Sequence, residues 1–154
     1  MEVEAGNGFL TINGLLCKPI KCNSKRSLYT LGAMKFETHE ELIIANLLVK
    51  MDIPFLHHLQ FVFQEEEFSQ PKIWCPDFIF FQPWWWVGRR PCNGSAIIGI
   101  EVKRRVIEHK VMRKSIALCE RHGIPILILT GEDLAYYQEK GRLPLKPIRA
   151  YSAA

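Results

Sequence analysis

Ala96-Ile97-Ile98-Gly99-Ile100-Glu101-Val102-Lys103 is an apolar run that ends in two charges. A strand covered on both faces reads as continuous hydrophobic sequence rather than as alternation, so 96–102 is predicted to be an interior strand of an α/β sheet. Functional groups in such sheets tend to lie at strand ends. Glu101 and Lys103, two residues apart, point to the same face of the strand. Upstream, Cys75-Pro76-Asp77-Phe78 heads a second apolar run, predicted as a strand over 73–81 that carries Asp77. If the two strands are neighbours, two carboxylates and an ammonium meet at one sheet end, a set suited to a hard divalent cation and an activated water.

Moving outward, Val106 to His122 has helical spacing through Val106, Ile107, Val111, Ile116, Leu118 and Cys119, with Gly123 as a stop. Pro125 to Thr130 follows as another solid apolar strand, and Glu132 to Lys140 as a short helix. Strand, helix, strand implies a right-handed crossover and a mixed sheet with helices on both faces. Toward the N-terminus, Phe55 to Phe63 reads as a strand and Glu65 to Pro71 as a polar turn. Before them, Thr38 stands three residues ahead of Glu41 in capping-box spacing. Leu42, Ile43, Ala45, Leu47, Leu48 and Met51 give the apolar face of a helix over about 38–51, ended by Asp52-Ile53-Pro54. Residues 1–37 mix Gly, Asn, Ser and Lys with β-rich runs such as Phe9 to Ile12 and Leu28 to Leu31, an N-terminal strand-and-loop extension.

At 154 residues the chain fits one domain with its own core. Hydrophobic residues at 48% and charged ones at 23% are ordinary for a globular protein. A net charge of +4 decides nothing alone, but its distribution is uneven. Acids gather at Glu37 to Glu41 and Glu65 to Glu67. Bases gather at Lys18 to Arg26, at Arg89-Arg90 and from Lys103 to Arg121, which gives one basic side. No apolar run approaches the roughly 20 residues that span a bilayer, and Met1-Glu2-Val3-Glu4 is no leader sequence, so the expected setting is cytoplasmic and without membrane. The five cysteines fit reduced thiols. Cys17 and Cys22 could join Cys75 and Cys92 around zinc, but neither pair has tight Cys-x2-Cys spacing.

The succession over residues 36–130 resembles the PD-(D/E)xK nuclease superfamily, the fold of many restriction endonucleases and archaeal Holliday-junction resolvases. It runs from a helix with a glutamate, through Pro76-Asp77 before an apolar strand and Glu101-Val102-Lys103 closing the next, to a helix and a last strand. Phe36-Glu37-Thr38-His39-Glu40-Glu41 also resembles the Phe-Glu-Ser-x-x-Glu segment of nucleases that act at transposon ends. The resemblance implies an α/β, restriction-endonuclease-like αβββαβ core whose mixed central sheet is flanked by helices. Residues 38–130 would be the catalytic core, 1–37 a β-rich extension and 131–154 a C-terminal helix and tail. It further implies Mg²⁺, for which Mn²⁺ would substitute, bound by Asp77, Glu101, the backbone carbonyl near Val102 and Glu41. Lys103 would orient the water and offset charge on the phosphate.

Glu41 is preferred to Glu40 because Ile44 and Leu48 fall three and seven residues later on its face, with Thr38 at the cap. The plainer alternative is that Glu41 only caps its helix. Asp77 would likewise be a strand-edge aspartate, and Glu101 with Lys103 a sheet-edge ion pair.

The expected activity is endonucleolytic cleavage of DNA; a homodimer would be needed to cut both strands, since one such site cuts one strand. A transposon-end enzyme would work with a separate recombinase. The other class is a non-catalytic DNA-binding or assembly subunit that keeps the nuclease fold. Three adjacent tryptophans, Trp84 to Trp86, cannot all enter one core from a strand. With Arg89 and Arg90 beside them, Trp85 and Trp86 could stack on bases, or the segment could pack on residues 1–35 or a second subunit. Arg104, Arg105, Arg113 and Lys114 are candidate phosphate contacts, or else a solvated helix face. His57 and His58 have no evident partner at metal spacing and read as core or loop histidines, although one could approach the site.

Overall fold

The computed structural model describes residues 1–6, 9–20, 29–64, 69–88, 95–103 and 109–148. The chain opens with β1 (Val3–Gly6), β2 (Phe9–Ile12), β3 (Leu15–Pro19), β4 (Tyr29–Leu31), β5 (Met34–Phe36) and α1 (His39–Lys50). Next come β6 (Phe55–His57), β7 (Leu59–Phe63), β8 (Lys72–Trp74), β9 (Phe78–Trp86) and β10 (Ser95–Lys103). It continues through α2 (His109–His122), β11 (Ile126–Thr130), α3 (Gly131–Lys140) and β12 (Leu145–Pro147). The architecture is mixed α/β, as the sequence predicts. Among the described residues, no helix is long and apolar enough to cross a membrane.

Among the described residues, two five-stranded sheets carry the fold, beside the small β4–β5 hairpin. One is an antiparallel succession in the order β1-β2-β3-β7-β8. The other is mixed, in the order β11-β10-β9-β12, with β6 also on β9. Within it β10 runs parallel to β11 and antiparallel to β9, so the chain crosses through α2 between the two parallel strands. Along β9, Phe80 to Phe78 face β6 and Trp86 to Trp84 face β12. The mixed sheet has a core on each face because its strands alternate: Leu127 and Leu129 of β11 enter one core, Ile126 and Ile128 the other. The first core lies under α1 and α3 with Phe36, Ile44, Leu48, Phe78, Trp86 and Tyr137. The second lies against α2 and the antiparallel sheet with Leu59, Phe61, Trp74 and Leu118. A layer of two helices, the mixed sheet, and a layer of α2 with the second sheet therefore stack on one another.

Several boundaries differ from the sequence reading, each for a local reason. The predicted strand 55–63 is broken at His58, whose φ of 63° turns the chain out of the mixed sheet and into the antiparallel one. The predicted strand 73–81 is divided in the same way: β8 pairs with β7, and after Cys75-Pro76-Asp77 the chain joins the mixed sheet as β9. From there β9 extends through all three tryptophans. Strand register slips between Ile97 and Gly99, so that Ile98 faces the segment 80–83 containing Pro83; proline is tolerated in a sheet at such an irregularity. The N-terminal strands are not set apart, since β3 hydrogen-bonds to β7. Residues 104–108, which include the first residues of the helix predicted over 106–122, lie outside the described residues, as do Cys22 and Cys92. Cys17 is fully buried, and burial pushes its thiol up to about 11.

Gly99 fixes how closely β9 and β10 approach just below the charged end of β10. A Cβ there would collide with the Phe78 carbonyl oxygen and lie 2.9 Å from Ile79 Cδ1. Only glycine lets Phe78, next to Asp77, sit that close to β10.

Candidate metal centre

The pairing of Ile100 with Phe78 carries on, one step further, into Glu101 and Asp77, but through side chains. The Asp77 amide donates to Glu101 Oε2 at 2.9 Å, and the Val102 amide donates to Asp77 Oδ2 at 2.8 Å. The two motifs singled out in the sequence are thus interlocked by reciprocal bonds. The amide and carbonyl of a strand residue face the same neighbour, which places the Val102 carbonyl on the Asp77 side of β10. Lys103 Nζ lies 3.3 Å from Glu101 Oε1, on a side chain 31% exposed, so the ammonium stands at the solvent edge of a glutamate that is almost fully buried.

Glu41 closes the cluster from α1. Thr38 caps that helix: its hydroxyl accepts from the Glu41 amide at 3.2 Å, while its own amide and hydroxyl donate to Glu41 Oε2, each at 2.9 Å. The capping role and the site role are therefore taken by different oxygens of one carboxylate. Oε2 holds the helix start, and Oε1 faces His57 Nε2 at 3.3 Å and His58 Nε2 at 3.7 Å. Glu41 is 5% exposed and also shares a hydrogen bond with the Asp77 carboxyl.

The convergence of both histidines on Glu41 is not legible in the sequence. Successive strand residues point to opposite faces, which argues against His57 and His58 converging on anything. The left-handed backbone at His58 breaks that alternation and brings the rings together, with centroids 3.8 Å apart. A His-His pair at a strand end was the one available signal. His57 is further fixed by Phe36, edge-on at 4.6 Å, and by Phe78.

Electrostatics set this cluster apart from an ordinary ion pair. Burial, then the charges of Glu101 and Glu41, push the Asp77 carboxyl well above the usual carboxylate range, against the pull of the Val102 amide. Burial pushes Glu101 up to about 7, opposed by Lys103 and the Asp77 amide. For Glu41 burial also acts upward. It is outweighed by the hydrogen bond with His57, the contact with His58 and the bonds to Thr38 and Asp77, which together hold this carboxyl low. Burial lowers His57, more strongly than its contact with Glu41 raises it. Three carboxyl groups this close cannot all ionise comfortably without a cation. The donor set of carboxylate oxygens and a backbone carbonyl fits a hard ion such as Mg²⁺ or Mn²⁺.

The predicted nucleic-acid contacts fare unevenly. Trp86 is wholly buried, packed edge-to-face on Tyr137 at 5.2 Å, and presents no surface for a base; here the structure corrects the sequence reading. Core placement follows from alternation, because Trp85 takes the other face and stays 40% exposed. Trp85 also lies near the far end of β9 from Asp77, eight residues along the chain, or at most roughly 26 Å at about 3.3 Å per residue. Lys114 is partly buried, donates to the Ile73 carbonyl at 3.1 Å, and is held low by burial and by Lys72, Lys110 and Lys103 around it. That ties the Lys114 side of α2 to the Lys103 side of the cluster. Arg113 is half-buried on α2. Arg89, Arg90, Arg104 and Arg105 lie outside the described residues. No family model, curated protein or solved structure matches the chain, which leaves the geometry of the cluster as the guide to its chemistry.

Proposed function

We propose that this protein is a divalent-metal-dependent endodeoxyribonuclease with a restriction-endonuclease-like core. The observation that carries the reading is the reciprocal pair of bonds between Asp77 and the Glu101-Val102 segment, closed by Glu41 and edged by Lys103. Asp77, Glu101, the Val102 carbonyl and Glu41 would hold Mg²⁺ or Mn²⁺. Such an ion, when bound, polarises a phosphodiester and lowers the pKa of water. Lys103, sharing its strand face with Glu101, orients the attacking water and offsets negative charge as it builds on the phosphate. Thr38 keeps Glu41 from swinging away, and the wall of Phe36, His57 and Phe78 excludes bulk water from one side of the cluster. Lys72, Lys110 and Lys114, gathered on the same side as Lys103, support a path for the DNA backbone that reads charge rather than sequence.

The test is a panel of linear duplex, supercoiled plasmid, four-way junction and single-stranded DNA with Mg²⁺. Cleavage of at least one substrate is expected, and Asp77→Asn or Lys103→Ala should abolish it while the circular-dichroism spectrum stays unchanged. Full activity in either variant would sink the assignment. DNA binding without cleavage on the whole panel would identify the chain instead as a non-catalytic subunit.

A further inference from the structure

Beside the oxygen-rich cluster lies a second set of donors with a different chemical preference. Glu41, His57 and His58 each offer one ligand atom, and these atoms all lie within 4.8 Å of one another. From Glu41 Oε1, the two imidazole Nε2 atoms are 3.3 and 3.7 Å away. With bonds of about 2.1 Å, two ligands of one tetrahedral ion stand roughly 3.4 Å apart, whereas adjacent ligands of an octahedral ion stand roughly 3.0 Å apart. Both oxygen–nitrogen spacings lie nearer the tetrahedral value. We propose that Glu41, His57 and His58 bind a borderline divalent ion of the Zn²⁺ or Co²⁺ class, at a site that adjoins the Asp77–Glu101 cluster and shares Glu41 with it.

Three features converge on this. The His58 Nε2 atom is buried and has no hydrogen-bond partner among the described residues, although it faces Glu41 Oε1. An unsatisfied ring nitrogen shielded from water is unfavourable, and a metal ion would relieve it. Orientation is already supplied: Glu41 Oε2 is tied to Thr38, leaving Oε1 to face the rings, and His57 is set between Phe36 and Phe78. Such outer contacts are what fix ligands around a metal. Ligand type then sorts the ions, because imidazole favours Zn²⁺ and Co²⁺ while Mg²⁺ takes oxygen. Two imidazoles and one carboxylate leave a fourth position for water or substrate, an arrangement that tetrahedral zinc uses when it does chemistry. The site stands whether or not the protein cleaves DNA.

Cobalt titration of the 154-residue chain in excess Mg²⁺ tests it. One equivalent of Co²⁺ should bind with the intense visible absorption of a tetrahedral ion, lack a sulfur charge-transfer band, and be displaced by Zn²⁺. His57→Phe keeps the aromatic packing, and His58→Asn keeps a residue that tolerates the left-handed backbone. Each should weaken cobalt binding at least about tenfold, with folding checked by circular dichroism. Glu101→Gln should leave the spectrum intact. No tetrahedral band in the wild-type chain, unchanged affinity in His58→Asn, or loss of the band in Glu101→Gln would each overturn the proposal. DNA cleavage by a chain that shows no such band would keep the nuclease reading and discard this one.

Discussion

Thr38-His39-Glu40-Glu41 and Thr130-Gly131-Glu132-Asp133 open α1 and α3 with the same device. In both, the threonine hydroxyl accepts from the amide of the fourth residue, at 3.2 and 3.4 Å, and that residue's carboxylate takes the threonine amide and hydroxyl in return. Their surroundings differ. Asp133 caps through Oδ2 on a half-buried side chain. Glu41 is longer by one methylene, is nearly buried, and turns its second oxygen toward two histidines. The Asp133 cap is not remote, because Thr130 is the register partner of Lys103. What separates the two is therefore what the second oxygen meets, and a local motif alone does not define a site.

Neutralising each acid in turn is the most forceful way to break that comparison. Under the nuclease reading, Glu41→Gln should slow Mg²⁺-dependent DNA cleavage by at least about 100-fold, the scale on which a preorganised charge in a catalytic site acts. Asp133→Asn should stay within about twofold of the parent. Equal losses in the two variants would mean that cleavage depends on firm helix starts in general, and Glu41 would lose its special place.

Proton linkage sharpens the contrast. Glu101, with its folded pKa raised from 4.5 to about 7, contributes stability that is full below pH 4.5 and lost as the pH climbs through about 7. Asp77 is raised too and acts in the same sense. Glu41 is lowered and acts oppositely, its stabilisation being lost only as the pH falls below the ordinary carboxylate range. His57, also lowered, adds stability as the pH rises toward 6.5. Comparison with Glu101→Gln isolates the first effect. Thermal melts of the metal-free wild-type chain should fall by several degrees relative to that variant between pH 5 and pH 8, and Mg²⁺ or Mn²⁺ at pH 8 should recover the loss. Parallel melting curves across that range would contradict the raised Glu101. Asp133→Asn should track the wild-type chain throughout.

The sequence showed Glu41 as cap and candidate ligand but concealed the two histidines that its second oxygen faces. Capping-box spacing identifies Thr38 and Glu41 because the interaction is local, four residues long and encoded in residue type. The same holds for 96–102, where unbroken hydrophobicity marks a covered strand and its charged end marks the site. His57 and His58 were hidden by a single dihedral: without the left-handed turn at His58 the two rings would take opposite faces. The passage of the chain from one sheet to the other at Cys75-Pro76-Asp77 was hidden too, since the apolar residues on its two sides form one continuous pattern. Nor does local periodicity say that β3 finds β7 across 40 residues, or which tryptophan of three enters the core. Those outcomes depend on pairing partners distant in the chain.

The finest test of the comparison removes only the hydroxyls. Thr38→Ala and Thr130→Ala should each cost about 1 kcal/mol of stability, the usual worth of an N-cap, and lower the melting temperature by roughly 2–4 °C. On stability the two helices should therefore be indistinguishable. They should part on function, because Thr38 also tethers Glu41 Oε2 and so aims Oε1, whereas Asp133 makes only its cap bonds among the described residues. Cleavage should fall about tenfold in Thr38→Ala and recover in Thr38→Ser, which restores the donor without the methyl group. Thr130→Ala should cleave as the parent does. If Thr38→Ala lost stability but no activity, Glu41 would be positioned by its histidine and Asp77 contacts alone, and the cap would be structural in both helices.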